Sequence, residues 1–156
     1  MLIRSLTYYK LKNMKKTIVI TLLFFSLYSL AQNAEIQNTI EFFFEGFHAK
    51  DTVKLQTVCN DKIILQWIME GSKGNKLTDE TPKAFYNSIA TIPADMKFEE
   101  KILSYSIQID GSMAHAWTPY EFYINGKLSH KGVNAFTLFK ENEVWKIIYL
   151  IDTRRK

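Results

Sequence analysis

The chain has 156 residues, of which 47% are hydrophobic, 14% aromatic and 23% charged, with only 6 Gly and 3 Pro. This composition excludes a disordered, collagen-like or low-complexity protein, and the length excludes a multidomain protein because one domain takes on the order of 100–150 residues. Removing the five basic residues of the first 31 positions from the total of 20 leaves 15 against 16 acidic residues. This balance excludes a strongly basic nucleic-acid-binding domain, and Arg154–Lys156 is predicted to be a solvated tail.

The N-terminus has the layout of a secretory signal peptide. Met14-Lys15-Lys16 is a short positive segment, residues 17–31 carry no charge, and Ser29-Leu30-Ala31 places small residues at a cleavage site. The uncharged run is shorter than the roughly 20 apolar residues that span a bilayer. We therefore predict a signal peptide over residues 1–31, translation starting at Met14 rather than Met1, and an exported domain over residues 32–156. That domain would be periplasmic or secreted, with no membrane span after cleavage.

The first half of the mature chain is predicted to be mainly helical. Apolar residues at helical spacing indicate a first helix over about residues 34–48. Its inner face comprises Ile36, Ile40, Phe43 and Phe47, widened by Phe42 and Phe44. Asp51 is a candidate N-cap for a short second helix, and Thr81-Pro82 is the typical start of a third. The single cysteine, Cys59, has no partner for an internal disulfide and is predicted to be a small buried residue.

Strands account for the remaining elements. Alternation predicts a strand over residues 62–70, followed by a polar loop over residues 71–76. Four further strands are predicted over residues 97–109, 113–124, 127–140 and 144–153. Asn125-Gly126 is the strongest hairpin signal among the turns between them. The element order indicates an α+β domain with helices packed on one face of a curved antiparallel sheet.

This order, at this size, resembles the nuclear transport factor 2-like superfamily, and within it the SnoaL-like and lumazine-binding-like groups. The resemblance rests on the Phe-rich first helix, Asp61 opening the first strand, residues 117–123 with Ser129–Gly132, and the closing Val144–Ile147. It implies a cone-shaped α+β fold with N-terminal helices on a curved mixed or antiparallel sheet, a pocket between them, and often a homodimer. The superfamily includes isomerases, dehydratases and cyclases as well as members without catalysis, so the resemblance leaves the activity open.

The Asn125-Gly126 turn predicts which side chains share a face. A two-residue turn pairs Ile124 with Lys127, which brings Glu121 opposite His130 if the ladder is regular. One face of the hairpin then carries a mixture of aromatic and polar groups: His115, Trp117, Glu121, Tyr123, His130 and Asn134. Apolar walls with a few polar groups are typical of a ligand pocket.

Candidate chemistry on that face rests on His130 and Glu121. A histidine oriented by a carboxylate suits proton transfer near neutral pH, and the alternative is an ordinary exposed cross-strand pair. His115 is either a ligand-binding residue or a hydrogen-bonded core histidine. Further ligand-binding candidates are Trp67, Trp117, Tyr123, Asn134, Tyr149 and Asp152. The face that Asp152 occupies depends on the length of the Glu141–Glu143 turn, because one residue reverses the side of a strand.

No metal site and no cofactor are predicted, since the sequence has no CxxC, HExxH, GxGxxG or GxSxG motif. The first interpretation is an exported protein that binds a small apolar or aromatic molecule. The alternatives are a cofactor-independent isomerase, dehydratase or cyclase, and a non-catalytic interaction module with a collapsed cavity. Strands apolar on both faces, such as residues 62–70 with Ile64 and Ile68 opposite Trp67, predict a homodimer through the sheet.

Overall fold

The structure, a computed structural model, describes residues 31–72 and 74–156. The chain divides into two units, Met1–Ala34 and Glu35–Lys156, and the second is the compact α+β unit considered below. The predicted signal peptide, apart from its last residue, and the predicted start at Met14 lie outside the described residues. Within the described part of the chain, no helix has the length and hydropathy needed to cross a bilayer.

In the described part of the chain, three helices precede or interrupt the sheet, as the sequence predicts. They are α1 (residues 31–49), α2 (Thr52–Val58) and α3 (Pro82–Ala90). Asp51 caps α2 by accepting a hydrogen bond from the Lys54 backbone N–H at 2.9 Å, and Thr81 caps α3 in the same way. Helix α2 approaches α1 closely at Gly46, where a Cβ atom would lie 3.2 Å from the Leu55 backbone nitrogen.

Helix α1 buries the face that its spacing predicts, with one correction. Ile36, Ile40, Phe43 and Phe44 are buried, whereas Phe42 is 40% exposed. The prediction that Phe42 widens the buried face is therefore wrong. Its ring lies instead beneath the Lys54 ammonium, whose Nζ is 4.2 Å from the ring centroid. At about 100° per residue, Phe42 lies on the side of Phe43 away from Phe44 and about 200° from Phe44, so it falls outside the stripe that Phe43 and Phe44 occupy.

Seven strands form one curved, unclosed mixed sheet. They are β1 (Cys59–Gly71), β2 (Gly74–Glu80), β3 (Phe98–Ile102), β4 (Ser106–Asp110), β5 (Met113–Ile124), β6 (Lys127–Glu141) and β7 (Val144–Arg154). The spatial order is β2-β1-β7-β6-β5-β3, and β4 also pairs with β5. Among the pairings of these seven described strands, β1–β7 is parallel and the others are antiparallel. The α+β fold class is confirmed, with the helices on one face of a mixed sheet.

Two strand predictions are wrong. Residues 74–76, assigned to a polar loop, belong to β2, which pairs with β1 as an antiparallel hairpin. The sequence of β2, GNKLTDE, has almost no apolar residue, because this edge strand is mostly exposed. The single strand predicted over residues 97–109 is two strands, separated at residues 103–105, and both pair with β5. Leu103 is 53% exposed at this break.

Two bulges change the register of the sheet. The Asn125-Gly126 turn pairs Ile124 with Lys127 as predicted, but a bulge follows, so that Tyr123 faces Leu128 while Phe122 faces His130. The predicted opposition of Glu121 and His130 is therefore wrong, because Ser129 is the extra residue on β6. A second bulge on β7 pairs Thr137 with Tyr149 and Leu138 with Ile147.

The core lies between the helices and the inner, concave face of the sheet. Phe43 is at its centre, with its ring centroid 5.3 Å from that of Phe44, 5.9 Å from Phe136 and 6.2 Å from Phe85. Trp145 is buried in the same core. Cys59 is buried and free, as predicted, and burial raises the pKa of its thiol to about 11, which keeps it protonated.

Candidate functional site

A cavity of about 480 Å³ lies between the inner face of the sheet and helices α1 and α3. The helices supply an apolar wall formed by Phe43, Phe44, Phe47, Phe85 and Ile89. The sheet supplies a polar floor formed by Glu80, Glu100, His130, Asn134, Asp152 and Arg154. Trp67, Tyr120, Phe122 and Leu150 complete the lining on the sheet side.

The floor is built from neighbouring positions of adjacent strands. Trp67 of β1 is in register with Asp152 of β7, which is in register with Asn134 of β6, and Asn134 with Thr118 of β5. Residues directly opposed in a sheet share a face, so these side chains form one row across the concave surface. Thr118 and Asn134 are buried, and the row therefore places polar groups in the interior of the domain.

Glu100 is the most strongly perturbed carboxyl group of the cavity. Its Oε1 atom accepts a hydrogen bond from Asn134 Nδ2 at 2.6 Å. Its backbone N–H donates to His48 Nε2 at 2.9 Å, which fixes the end of α1 against β3. Burial raises the pKa of the Glu100 carboxyl to about 8, with a smaller contribution from the charge of Asp152. At neutral pH this group therefore carries a proton.

Asp152 and Arg154 form a bidentate ion pair at the other side of the floor. Arg154 Nε donates to Asp152 Oδ2 at 2.7 Å, and Nη2 donates to Oδ1 at 3.1 Å. The guanidinium lies over the Trp67 ring, 4.8 Å from its centroid. The Tyr120 hydroxyl lies 2.9 Å from the Thr153 carbonyl oxygen and 3.2 Å from Asp152 Oδ2, and donates its one proton between them.

Tyr120 reaches this position only because residue 132 is glycine. A Cβ atom on Gly132 would lie 1.7 Å from the Thr153 carbonyl oxygen and 2.7 Å from Cε1 of the Tyr120 ring. The Tyr120 ring is buried against the bare backbone of β6. Glycine thus serves here as a site of close approach within a strand.

His130 enters the cavity from the end of β6. Its ring stacks on Phe122 with centroids 4.9 Å apart, and the edge of the Tyr120 ring lies nearby. Burial lowers the pKa of His130, and the positive charge of Arg154 lowers it further. The imidazole is therefore neutral at pH 7 and is available as a hydrogen-bond donor and acceptor.

The structure brings only some of the predicted site residues together. Trp67, His130, Asn134 and Asp152 line the cavity. The other predicted residues lie on the outer face of the sheet: His115, Trp117, Glu121, Tyr123 and Tyr149. This is a correction of the shared face predicted from a regular ladder.

The interactions of those residues fit their outer position. Glu121 accepts hydrogen bonds from Lys131 Nζ and from the Tyr123 hydroxyl, both at 2.7 Å, and these two contacts lower its pKa. The Tyr149 hydroxyl donates to Gln66 Oε1 at 2.5 Å. His115 lies opposite Thr137 and is half-buried outside the core.

The sequence reasoning missed four polar residues that line the cavity on the sheet side: Glu80, Glu100, Tyr120 and Arg154. The sequence did indicate that Glu100 faces the interior, because Phe98 and Ile102, two positions before and after it, are apolar and would share its face of a strand. Arg154, assigned to a solvated tail, is in fact the last residue of β7 and points into the cavity. A regular ladder would place Tyr120 on the face opposite His130, and the bulge at Ser129 brings the two residues onto one face.

No group of three or more His, Cys, Asp or Glu side chains in the described ranges is arranged to hold a metal ion. The cavity can instead bind and orient an organic molecule between aromatic rings and a hydrogen-bonding floor. It also holds a protonated carboxyl group and a neutral imidazole, which can donate and accept a proton.

Comparison with known proteins identifies the fold. No family model and no curated protein matches the chain. Among solved structures, an NTF2-like (nuclear transport factor 2-like) protein from Cytophaga hutchinsonii is 14% identical with a TM-score of 0.64, covering 80% of this chain and 98% of that one. An NTF2-like protein of unknown function from Shewanella baltica is 14% identical with a TM-score of 0.61, covering 81% and 96%.

A third similar structure is a type 2 hexachlorocyclohexane dehydrochlorinase, 16% identical with a TM-score of 0.63, covering 84% of this chain and 90% of that one. The chain therefore has the nuclear transport factor 2-like fold, and the predicted resemblance is confirmed at the level of the fold. At these identities the likeness concerns the architecture, and the activity has to be argued from the cavity.

Proposed function

We propose that this protein is an exported domain that binds a small, largely apolar molecule in the cavity between the sheet and the helices. The observation that carries the proposal is the cavity of about 480 Å³, within the range of about 300–1,000 Å³ typical of small-molecule sites. Its aromatic wall offers apolar contact, and its floor offers oriented polar groups. Such a volume argues against the alternative of an interaction module with a collapsed cavity.

The polar floor is organised before any ligand binds. Glu100 is held by Asn134, and Asp152 is held by Arg154 from two directions. A floor with fixed side chains loses little conformational entropy when a ligand binds, which favours affinity. Export rests on the predicted signal peptide over residues 1–31.

A second candidate function is a cofactor-independent lyase or isomerase. The specific observation in its favour is a protonated Glu100 and a neutral His130 on the same floor. These residues flank Phe122 on adjacent strands, so their backbones are roughly 10 Å apart, two strand spacings, and a substrate would lie between them. The fold is shared with a dehydrochlorinase, which is an analogy and says nothing of this chain's substrate.

Native mass spectrometry of the protein purified from the exported fraction tests the first proposal. We expect a mature chain that begins at Gln32 and carries a non-covalently bound organic molecule. Retention of residues 17–31 in the exported protein would contradict the signal peptide, and protein that is empty and does not take up any apolar probe would contradict ligand binding. Conversion of the bound molecule on incubation, lost in His130→Ala while binding persists, would favour the enzyme.

The outer face of the sheet supports a homodimer. Three rows of side chains in register cross β1, β7, β6 and β5. All twelve residues of these rows lie in the described part of the chain, and none carries a formal charge. The rows are Ile64, Tyr149, Thr137 and His115; Gln66, Ile151, Ala135 and Trp117; Ile68, Thr153, Val133 and Pro119. Ile64 is 57% exposed and Trp117 is 49% exposed. A large uncharged face of this kind is typical of a subunit contact, and a two-fold axis would bury it against itself.

Light scattering at micromolar concentration tests the dimer. We expect Trp117→Glu to shift the mass to that of a monomer, because a carboxylate buried without a partner is strongly unfavourable. Val53→Glu is the matched control, since Val53 is 73% exposed on α2 and lies outside the sheet face. A parent protein that is already monomeric would contradict the dimer.

A further inference from the structure

The cavity floor contains more acidic than basic side chains. Glu80, Glu100 and Asp152 supply three carboxyl groups, whereas Arg154 is the one side chain there with a permanent positive charge. Two of the five N–H groups of Arg154 are already directed at Asp152, which makes the guanidinium and this carboxylate a closed ion pair. An anionic ligand would therefore meet more carboxyl groups than basic groups, and the guanidinium that lines the cavity is already paired with Asp152.

One carboxyl group in particular is left with unused capacity. Asn134 Nδ2 donates to Glu100 Oε1, and no donor among the described residues reaches the second oxygen. The Glu100 side chain lines the cavity, so this oxygen is available to a bound molecule. A ligand group that donates hydrogen bonds would satisfy it.

The opposite wall also favours positive charge. The wall and the adjoining sheet surface carry the rings of Phe43, Phe44, Phe47, Phe85 and Phe122. Aromatic faces attract cations within about 6 Å of the ring centroid. The same cavity already uses this interaction, because the Arg154 guanidinium lies 4.8 Å from the centroid of Trp67.

From the carboxyl excess, the unused Glu100 oxygen and the surrounding rings, we infer that the ligand is an organic cation, a primary amine on a hydrophobic body. Its ammonium group donates to Glu100, and its body packs against the phenylalanine rings of the helices. The inference rests on the proposed ligand binding and names the class of ligand.

Binding of an ammonium ion is coupled to a proton. Because burial raises the pKa of Glu100 to about 8, about nine-tenths of the free protein carries the Glu100 proton at pH 7. The bound state pairs the Glu100 carboxylate with the ammonium, so this proton leaves to solvent while the amine keeps its own. Affinity for the amine therefore rises with pH up to about 8, by on the order of tenfold between pH 6 and 7.

Other titratable groups face Glu100 from the surrounding elements: His48, Glu80, Tyr120, His130, Asp152 and Arg154. Burial raises the pKa of Glu80 and that of Tyr120, and it lowers the pKa of His48 and that of His130. The cavity residues of α3, including Phe85 and Ile89, add no charge. A variant at Glu100 separates its contribution from those of these neighbours.

Isothermal titration calorimetry with three matched indole compounds tests the inference: tryptamine, tryptophol and indolepropionate. They share one body and end in an ammonium, a hydroxyl and a carboxylate. At pH 8 we expect tryptamine to bind at least tenfold more tightly than tryptophol and indolepropionate not to bind. At pH 7, titrations in two buffers of different ionisation enthalpy should report release of about nine-tenths of a proton per bound tryptamine.

Glu100→Gln is the decisive variant, because glutamine has the shape of the protonated carboxyl group and still accepts from Asn134. We expect it to lose the preference for tryptamine, the proton release and the rise in affinity with pH, and to keep its affinity for tryptophol. Glu99→Gln, at the exposed neighbouring position on β3, is the control and should behave as the parent.

The outcomes distinguish the inference from the proposed function. Equal binding of tryptamine and tryptophol, or an unchanged preference in Glu100→Gln, would overturn the cationic ligand while leaving a ligand-binding cavity. If none of the three compounds binds and the neutral apolar dye Nile red does not bind either, both the inference and the proposed function are wrong. Binding of Nile red alone would overturn only the inference.

Discussion

The substitution Gly132→Ala tests how the cavity floor is assembled. The added Cβ atom would lie 1.7 Å from the Thr153 carbonyl oxygen and 2.7 Å from the Tyr120 ring, far inside van der Waals contact. Either β7 moves away from β6 or the Tyr120 ring is displaced. Overpacking of this kind costs about 1–3 kcal/mol, and loss of the Tyr120 hydrogen bond adds about 1 kcal/mol. The expected decrease in the free energy of unfolding is therefore about 3 kcal/mol.

Urea denaturation followed by tryptophan fluorescence measures this loss, and thermal unfolding should show a decrease in Tm on the order of 10 °C for a domain of this size. Gly71→Ala is the control, since a Cβ atom there would be 3.6 Å from the nearest atom, an ordinary contact. A Gly132→Ala protein within about 0.5 kcal/mol of the parent, the usual range of an inconsequential substitution, would refute the close packing of Tyr120 on β6.

Three further predictions concern the core, the helix cap and pH. Phe43→Ala, in the centre of the aromatic core, should cost about 3–5 kcal/mol in urea denaturation, whereas Phe42→Ala at the exposed neighbouring position should cost under about 1 kcal/mol. Asp51→Ala should lower the free energy of unfolding by about 1 kcal/mol, because the Lys54 N–H loses its acceptor; no loss would contradict the cap. Folding raises the pKa of Glu100 from 4.5 to about 8, so the folded state holds its proton in that window while the unfolded state releases it. Stability contributed by this group therefore falls as pH rises from about 5 to 8, by at most about 1.4 kcal/mol per pH unit, and Glu100→Gln should lose that decline.

Local signals in the sequence were sufficient for most of the elements. The helical spacing of Ile36, Ile40 and Phe43, the cap at Asp51 and the hairpin at Asn125-Gly126 all depend on residues close together in the chain, and all three are confirmed. The polar strand β2 had no such signal, because an exposed edge strand needs no apolar alternation and is held by its pairing with β1.

The burial of charged residues on the inner face of the sheet was harder to predict. Glu100 lies between the inward-facing Phe98 and Ile102, and Arg154 follows Asp152 by two positions on the inner face of β7. Composition alone assigns such charged residues to solvent. Their burial depends on partners far along the chain, since Asn134 is 34 residues from Glu100. Long-range pairing of this kind cannot be read from local patterns.

Two single-residue bulges determine which side chains meet in the cavity. The Asn142–Glu143 turn has two residues, and a regular ladder from it would place Asp152 on the outer face; the bulge on β7 turns Asp152 inward beside Asn134. On β6, His130 and Asn134 lie on the same face, as predicted. Because Ser129 is an extra residue on β6, the β5 side chains that share this face are Tyr120 and Phe122 rather than Glu121 and Tyr123. A hairpin signal fixes where the ladder starts, and each bulge reverses the alternation beyond it. The positions of apolar residues along each strand are therefore a better guide to the inner face than the turn. Ala114, Ala116 and Phe136 alternate along that face, and the polar residues that continue the same alternation, Thr118, Tyr120 and Asn134, are buried at the cavity.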